Sequence, residues 1–95
     1  MMLQDIPIHQ RIINFNGLKN TGGIFVVSIE KDTPASFCHL KDGDIIIGFD
    51  GHVVNKTDDL FKLLTEEKIN VRSEISVIRN TQKLIFDIYP RELAA

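Results

Sequence analysis

The sequence predicts an α+β, mainly β fold: a small, partly open five- to six-stranded β-barrel or sandwich capped by two helices. Three observations carry this. Short stretches dense in β-branched and aromatic residues recur at 24–29, 45–49, 74–79 and 84–89. Turn chemistry separates them, most clearly at Asp50-Gly51, a strong two-residue hairpin signal. One stretch beginning at Thr57 combines an acidic opening with the apolar spacing of an amphipathic helix.

In chain order, residues 3–8 read as a short extended piece, since Pro7 disfavours helix at the residue before it. Arg11, Ile12, Ile13 and Phe15 suit a short helix that stops near Asn16-Gly17. Asn20-Thr21-Gly22-Gly23 is turn chemistry and feeds the strand 24–29. Thr33 as a cap and Pro34 at a first helical position predict one or two helical turns through Cys38. Leu40 is expected to plug the core while 41–44 reverses the chain, with Gly43 taking a positive φ that other residues resist. Strand 45–49 turns at Asp50-Gly51 into a short return strand, His52-Val53-Val54. In the next helix Thr57 is the candidate cap, Asp58 and Asp59 suit the positive end of the helix dipole, and the expected end lies before Asn70. Two alternating strands, 74–79 and 84–89, flank a turn at Asn80-Thr81-Gln82 and close the chain.

At 95 residues the chain is one domain, because single domains run about 50–250 residues. A net charge of -2 gives no electrostatic basis for binding nucleic acid. The longest purely apolar runs are far too short to span a bilayer, so membrane insertion by this segment is not expected. The N-terminus lacks the basic-then-apolar pattern of a signal peptide. One cysteine, Cys38, excludes an internal disulfide framework.

No catalytic constellation emerges. His9, His39 and His52 lack metal-like spacing and read as surface or turn residues. No Gly-x-Ser-x-Gly elbow surrounds any serine. Cys38 and His39 are sequence neighbours that point in different directions on a short helix, and a nucleophile needs its base within hydrogen-bond reach. Asp42-Gly43-Asp44 lacks the spacing and closing glutamate of an EF-hand, and turn formation explains it. Neither a cofactor nor a metal is expected, and the chain reads as a non-enzyme.

The ordered series Gly23 to Ile29, Thr33-Pro34-Ala35, Leu40 to Ile46, Asp50-Gly51 and Asp58-Asp59-Leu60 resembles a PDZ domain, over about residues 3–89, with 90–95 as a tail. Residues 1–95 are thus expected to be a single PDZ-like domain excised from a larger protein. Thr57-Asp58-Asp59-Leu60 is similar to the V-D-D-L run of HtrA/Deg-type, trypsin-like serine proteases. A closing strand after Ile78-Arg79-Asn80 resembles the circularly permuted bacterial-type topology.

The resemblance implies peptide binding by β-augmentation, with a strand added at a sheet edge beside the longer helix. It implies partners that are C-terminal or unfolded hydrophobic peptide segments, together with a linked protease domain in the parent chain. It implies a parent located in the cell envelope or periplasm, or secreted, and engaged in protein quality control. The groove residues it implies are Met1, Met2, Leu3 and Ile6 on the strand side, and Thr57, Phe61 and Leu64 on the helix side. Leu60 and Leu63 should face the core. Phe61 either narrows the pocket for a terminal side chain or is ordinary core, with Leu63 or Leu64 partly exposed instead. The Gly-Leu-Gly-Phe-like carboxylate loop of the family has no counterpart at the N-terminus of this sequence. A second implied role is a scaffold or assembly module of a secretion or envelope complex, binding another subunit.

Overall fold

The computed structural model describes residues 2–29, 40–64 and 71–88. The helix expected through Thr33-Pro34, Cys38 with His39, the stretch up to Asn70, Tyr89 and Met1 all lie outside the described residues. The elements run β1 (Met2–Pro7), α1 (Gln10–Asn16), β2 (Gly22–Ser28), β3 (Ile45–Phe49), β4 (His52–Val53), α2 (Thr57–Leu63), β5 (Ser73–Arg79) and β6 (Gln82–Ile88). The strands form one antiparallel sheet in the order β1-β2-β3-β5-β6, with β4 paired to β3 off this path. The sheet does not close, so among the described residues β1 and β6 are its edges. The mainly β architecture, with two helices among the described residues, is what the alternating strands and turn signals predict.

The run Ile45-Ile46-Ile47 shows why a strand can be apolar throughout. Successive side chains point to opposite faces. Ile46 enters the main core with Ile24, Val26, Phe49, Val54, Leu60, Ile75, Val77 and Ile88. Ile45 and Ile47 face a second cluster with Ile8 and Ile78, against which Ile12 and Ile13 of α1 pack. Helix α2 supplies Leu60 to the main core, with Leu63 and Leu64 packed beside it. A sheet with helices on both faces needs no polar alternation at its centre.

Both two-residue hairpin turns among the described residues use left-handed backbone. Asp50 and Gly51 have φ 51° and 80°, as the Asp-Gly signal requires of a hairpin turn whose twist matches its strands. Asn80 and Thr81 do the same at φ 52° and 67°, and Arg79 pairs with Gln82. The turn is therefore two residues long, and Gln82 belongs to β6 where the sequence suggested turn. A β-branched residue rarely adopts this conformation. Asn16 at the end of α1 holds it, donating to the Thr81 carbonyl at 3.0 Å and accepting from the Lys83 N–H at 3.2 Å.

Gly22 and Gly23, expected as turn, are the first residues of β2. A Cβ on Gly23 would lie 2.7 Å from Ile45 Cγ2 and 3.0 Å from the Ile46 carbonyl oxygen. Glycine here permits the close approach of β2 and β3, whose pairing at Ile24↔Ile46 begins beside it.

Buried polar groups tie the layers together. Asn20 donates through Nδ2 to the carbonyls of Ile47 at 2.9 Å and Val54 at 2.7 Å. Asp44, 1% exposed, accepts from Arg79 Nε at 2.8 Å and Nη2 at 2.7 Å, and from the Lys41 N–H at 2.9 Å. The Arg79 guanidinium also stacks over the Phe86 ring, 5.0 Å from its centre. The hydrogen bonds to Asp44 raise the Arg79 pKa above its ordinary value, outweighing desolvation, which lowers it. Removing one partner of a buried pair strands the other's charge, at a cost of about 3–5 kcal/mol. Arg79→Ala is expected to lower unfolding free energy by about that much in urea titrations. A loss below about 1 kcal/mol would show that the pair behaves as an exposed one.

Candidate functional site

Two elements with unused surface lie side by side: the edge strand β1 and helix α2. β1 pairs with β2 from Met2↔Ser28 to Pro7↔Gly22, with a register shift between Met2 and Leu3. Its other side carries no strand among the described residues. Alternate N–H and C=O groups of an edge strand point outward and can template another strand. Pro7 has no N–H, which ends that template at its C-terminal side.

Met2 opens β1 and is 60% exposed. Leu3 is half-buried and packs on the main core. Ile6 is half-buried opposite Gly23. On the helix, Thr57 is the first residue and half-buried, while Leu64 directly follows the last turn and packs on the core with Leu63. Phe61 is 52% exposed, so its ring is not part of the core. Met1 is outside the described residues.

Thr57 is not the cap of α2. Lys56 occupies that position in an extended conformation and makes no side-chain cap bond. The cap comes from elsewhere in the chain. Asp5 of β1 accepts from the Thr57 backbone N–H at 2.8 Å, and its other oxygen lies 3.4 Å from the Thr57 hydroxyl. A carboxylate satisfies an orphan donor of the first turn and complements the dipole there. Asp59 in the same turn accepts from the Asn55 N–H at 3.0 Å. Asn55 in turn accepts from the N–H groups of Thr21 at 3.0 Å and Gly22 at 3.3 Å. Strand β1, the start of β2 and the start of α2 are thus held as one unit.

The sequence pattern points to candidate groove positions on both elements and gives no sign of Asp5 or Asn55. Nothing local marks them, since Asp5 meets Thr57 across 52 residues and Asn55 meets Thr21 across 34.

An open antiparallel sheet with a helix laid beside one free edge is the architecture of small protein-binding modules that accept an added strand. The chain belongs to the PDZ domain family, whose model matches residues 12–89. The PDZ domain of an SdrC-like protein from Listeria monocytogenes superposes with a TM-score of 0.62 at 22% identity, covering 75% of this chain and 74% of that one. The "Probable periplasmic serine endoprotease DegP-like" of Rickettsia conorii is 32% identical over 68 residues, 72% of this chain and 13% of its own length. "Serine protease HTRA1" of Xenopus tropicalis is 29% identical over 75 residues, 79% of this chain and 16% of its own length. The chain therefore spans only a small fraction of these relatives. As a PDZ domain it is a protein-binding module.

Asn55 offers a direct check on how the groove walls are joined. Asn55→Ala removes the acceptor for two backbone donors and is expected to cost about 1–2 kcal/mol of stability, measured by thermal unfolding. An unchanged midpoint would show that water replaces the amide without loss.

Proposed function

We propose that the chain is the substrate-recruiting or regulatory PDZ domain of an HtrA-like serine protease, without catalytic activity of its own. It binds hydrophobic C-termini or unfolded hydrophobic segments as an added strand on β1. Residues 1–95 form a single such domain, and the parent protein works in the cell envelope or periplasm, or outside the cell. The resemblance to periplasmic DegP-like proteases supports both the linked protease and the compartment.

The observation that carries the binding mode is the pairing of an open strand edge with exposed apolar side chains at its two sides, Met2 on β1 and Phe61 on α2. Main-chain hydrogen bonds to β1 would supply affinity regardless of sequence. Side chains of the added strand alternate, so every second one points toward α2. Phe61, with Leu3 and Leu64 at the core side, makes an apolar lining for an aliphatic or aromatic anchor, and Met2 and Ile6 flank the strand side. Burying one such anchor contributes about 1.5–3 kcal/mol.

Isothermal titration with hydrophobic eight-residue peptides, as free acid and as C-terminal amide, tests this. Both forms binding, with Phe61→Asp weakening the complex at least about tenfold (about 1.4 kcal/mol), is the expected outcome. A preference for the free acid assigns C-terminal recognition; equal binding assigns recognition of unfolded segments. Absence of binding by either form would sink the peptide-receptor reading.

A further inference from the structure

The Asp5 contact does more than cap a helix. It crosses the space between β1 and α2, which under the reading above is where a ligand strand lies. Asp5 stands two residues from Leu3, on the same face of β1. Leu3 packs on the main core that α2 covers, and Asp5 reaches the first residue of α2. At this level the edge strand and the helix backbone are separated by one short side chain and one hydrogen bond of 2.8 Å. A strand paired to β1 sits about 4.8 Å from it, with side chains directed at the helix. It cannot pass the Asp5 level while the carboxylate remains on the Thr57 N–H.

We infer that Asp5 is a length-selecting latch, and this inference rests on the groove reading of the preceding section. With the latch closed, a ligand strand has only the part of β1 before Asp5, from Met2 to Gln4. A ligand of two or three residues needs no more than that. A longer ligand must displace the carboxylate from the helix N-terminus, so part of its binding free energy is spent on opening. The latch therefore favours short terminal anchors over long internal segments. It also makes Asp5 a residue whose removal weakens the fold and strengthens the complex, opposite in sign to an ordinary groove contact.

Binding of a hydrophobic tripeptide and of an octapeptide ending in the same three residues is compared for the wild-type chain, Asp5→Ala and Asp5→Asn. The octapeptide is expected to bind Asp5→Ala about tenfold more tightly than wild type, equivalent to about 1.4 kcal/mol. Tripeptide affinity is expected to stay within about twofold, and the melting temperature of the unliganded variant to fall. Asn keeps an acceptor oxygen without the charge, so Asp5→Asn is expected to lie between the two and serves if the alanine variant does not fold. Wild type that binds the octapeptide as tightly as the variants, or more tightly, overturns the latch and leaves the groove standing. Failure of every protein to bind either peptide overturns the groove and the latch together.

Discussion

The structure depends on one ion pair, the buried Asp44 with the half-buried Arg79. Asp44 sits at the entrance to β3, inside the turn that returns the chain from β2, and Arg79 is the last residue of β5. The backbone of the same turn is fixed to β2, with Val26 donating to the Asp44 carbonyl and Gly43 donating to the Val26 carbonyl, both at 2.8 Å. One carboxylate and its backbone thus lock the registers of β2, β3 and β5 to each other. The position of β1 follows, because β2 is its only strand partner among the described residues. A one-residue slip in the central strands would exchange the two faces of the sheet and carry the edge with it.

With the registers fixed, both faces of the central strands are covered, by α1 on one side and α2 on the other. Among the described residues the outer sides of β1 and β6 are left unpaired, and β1 is the one in contact with α2. The same helix that closes the main core, through Leu60 with Leu63 and Leu64 beside it, stands next to that edge. Phe61 lies on the turn between Leu60 and Leu64 and is left outward by the helical period. The exposed position of Phe61 is in this sense a by-product of the way α2 covers the core. The Asp5 and Asn55 contacts then tie the start of α2 to β1 and to the start of β2.

Much of the fold is legible in the sequence because it is written locally. The density of β-branched residues marks β2, β3, β5 and β6, and Asp50-Gly51 and Gly43 take the left-handed conformations their types favour. Gly17 ends α1 at φ 62°, near where Asn16-Gly17 predicts a stop. What was not legible is set by partners distant in sequence. Gly22-Gly23 carries the composition of a turn, yet it lies in a strand because Ile45 presses against it. Thr57 has the identity of a cap, yet the cap is Asp5, brought in by strand pairing. That Thr57, Phe61 and Leu64 fall at i, i+4 and i+7 along the α2 stretch was readable from the sequence. Which of these faces solvent was not, because that depends on where the sheet places the helix.

The central claim is that β1 is the edge that receives a ligand strand. Amide hydrogen exchange, resolved residue by residue with and without a saturating hydrophobic peptide, tests it most directly. Added protection is expected at outward amides within Met2–Ile6 and at α2, with exchange along β6, the opposite edge, unchanged. Protection appearing along β6 while β1 exchanges as before would contradict it.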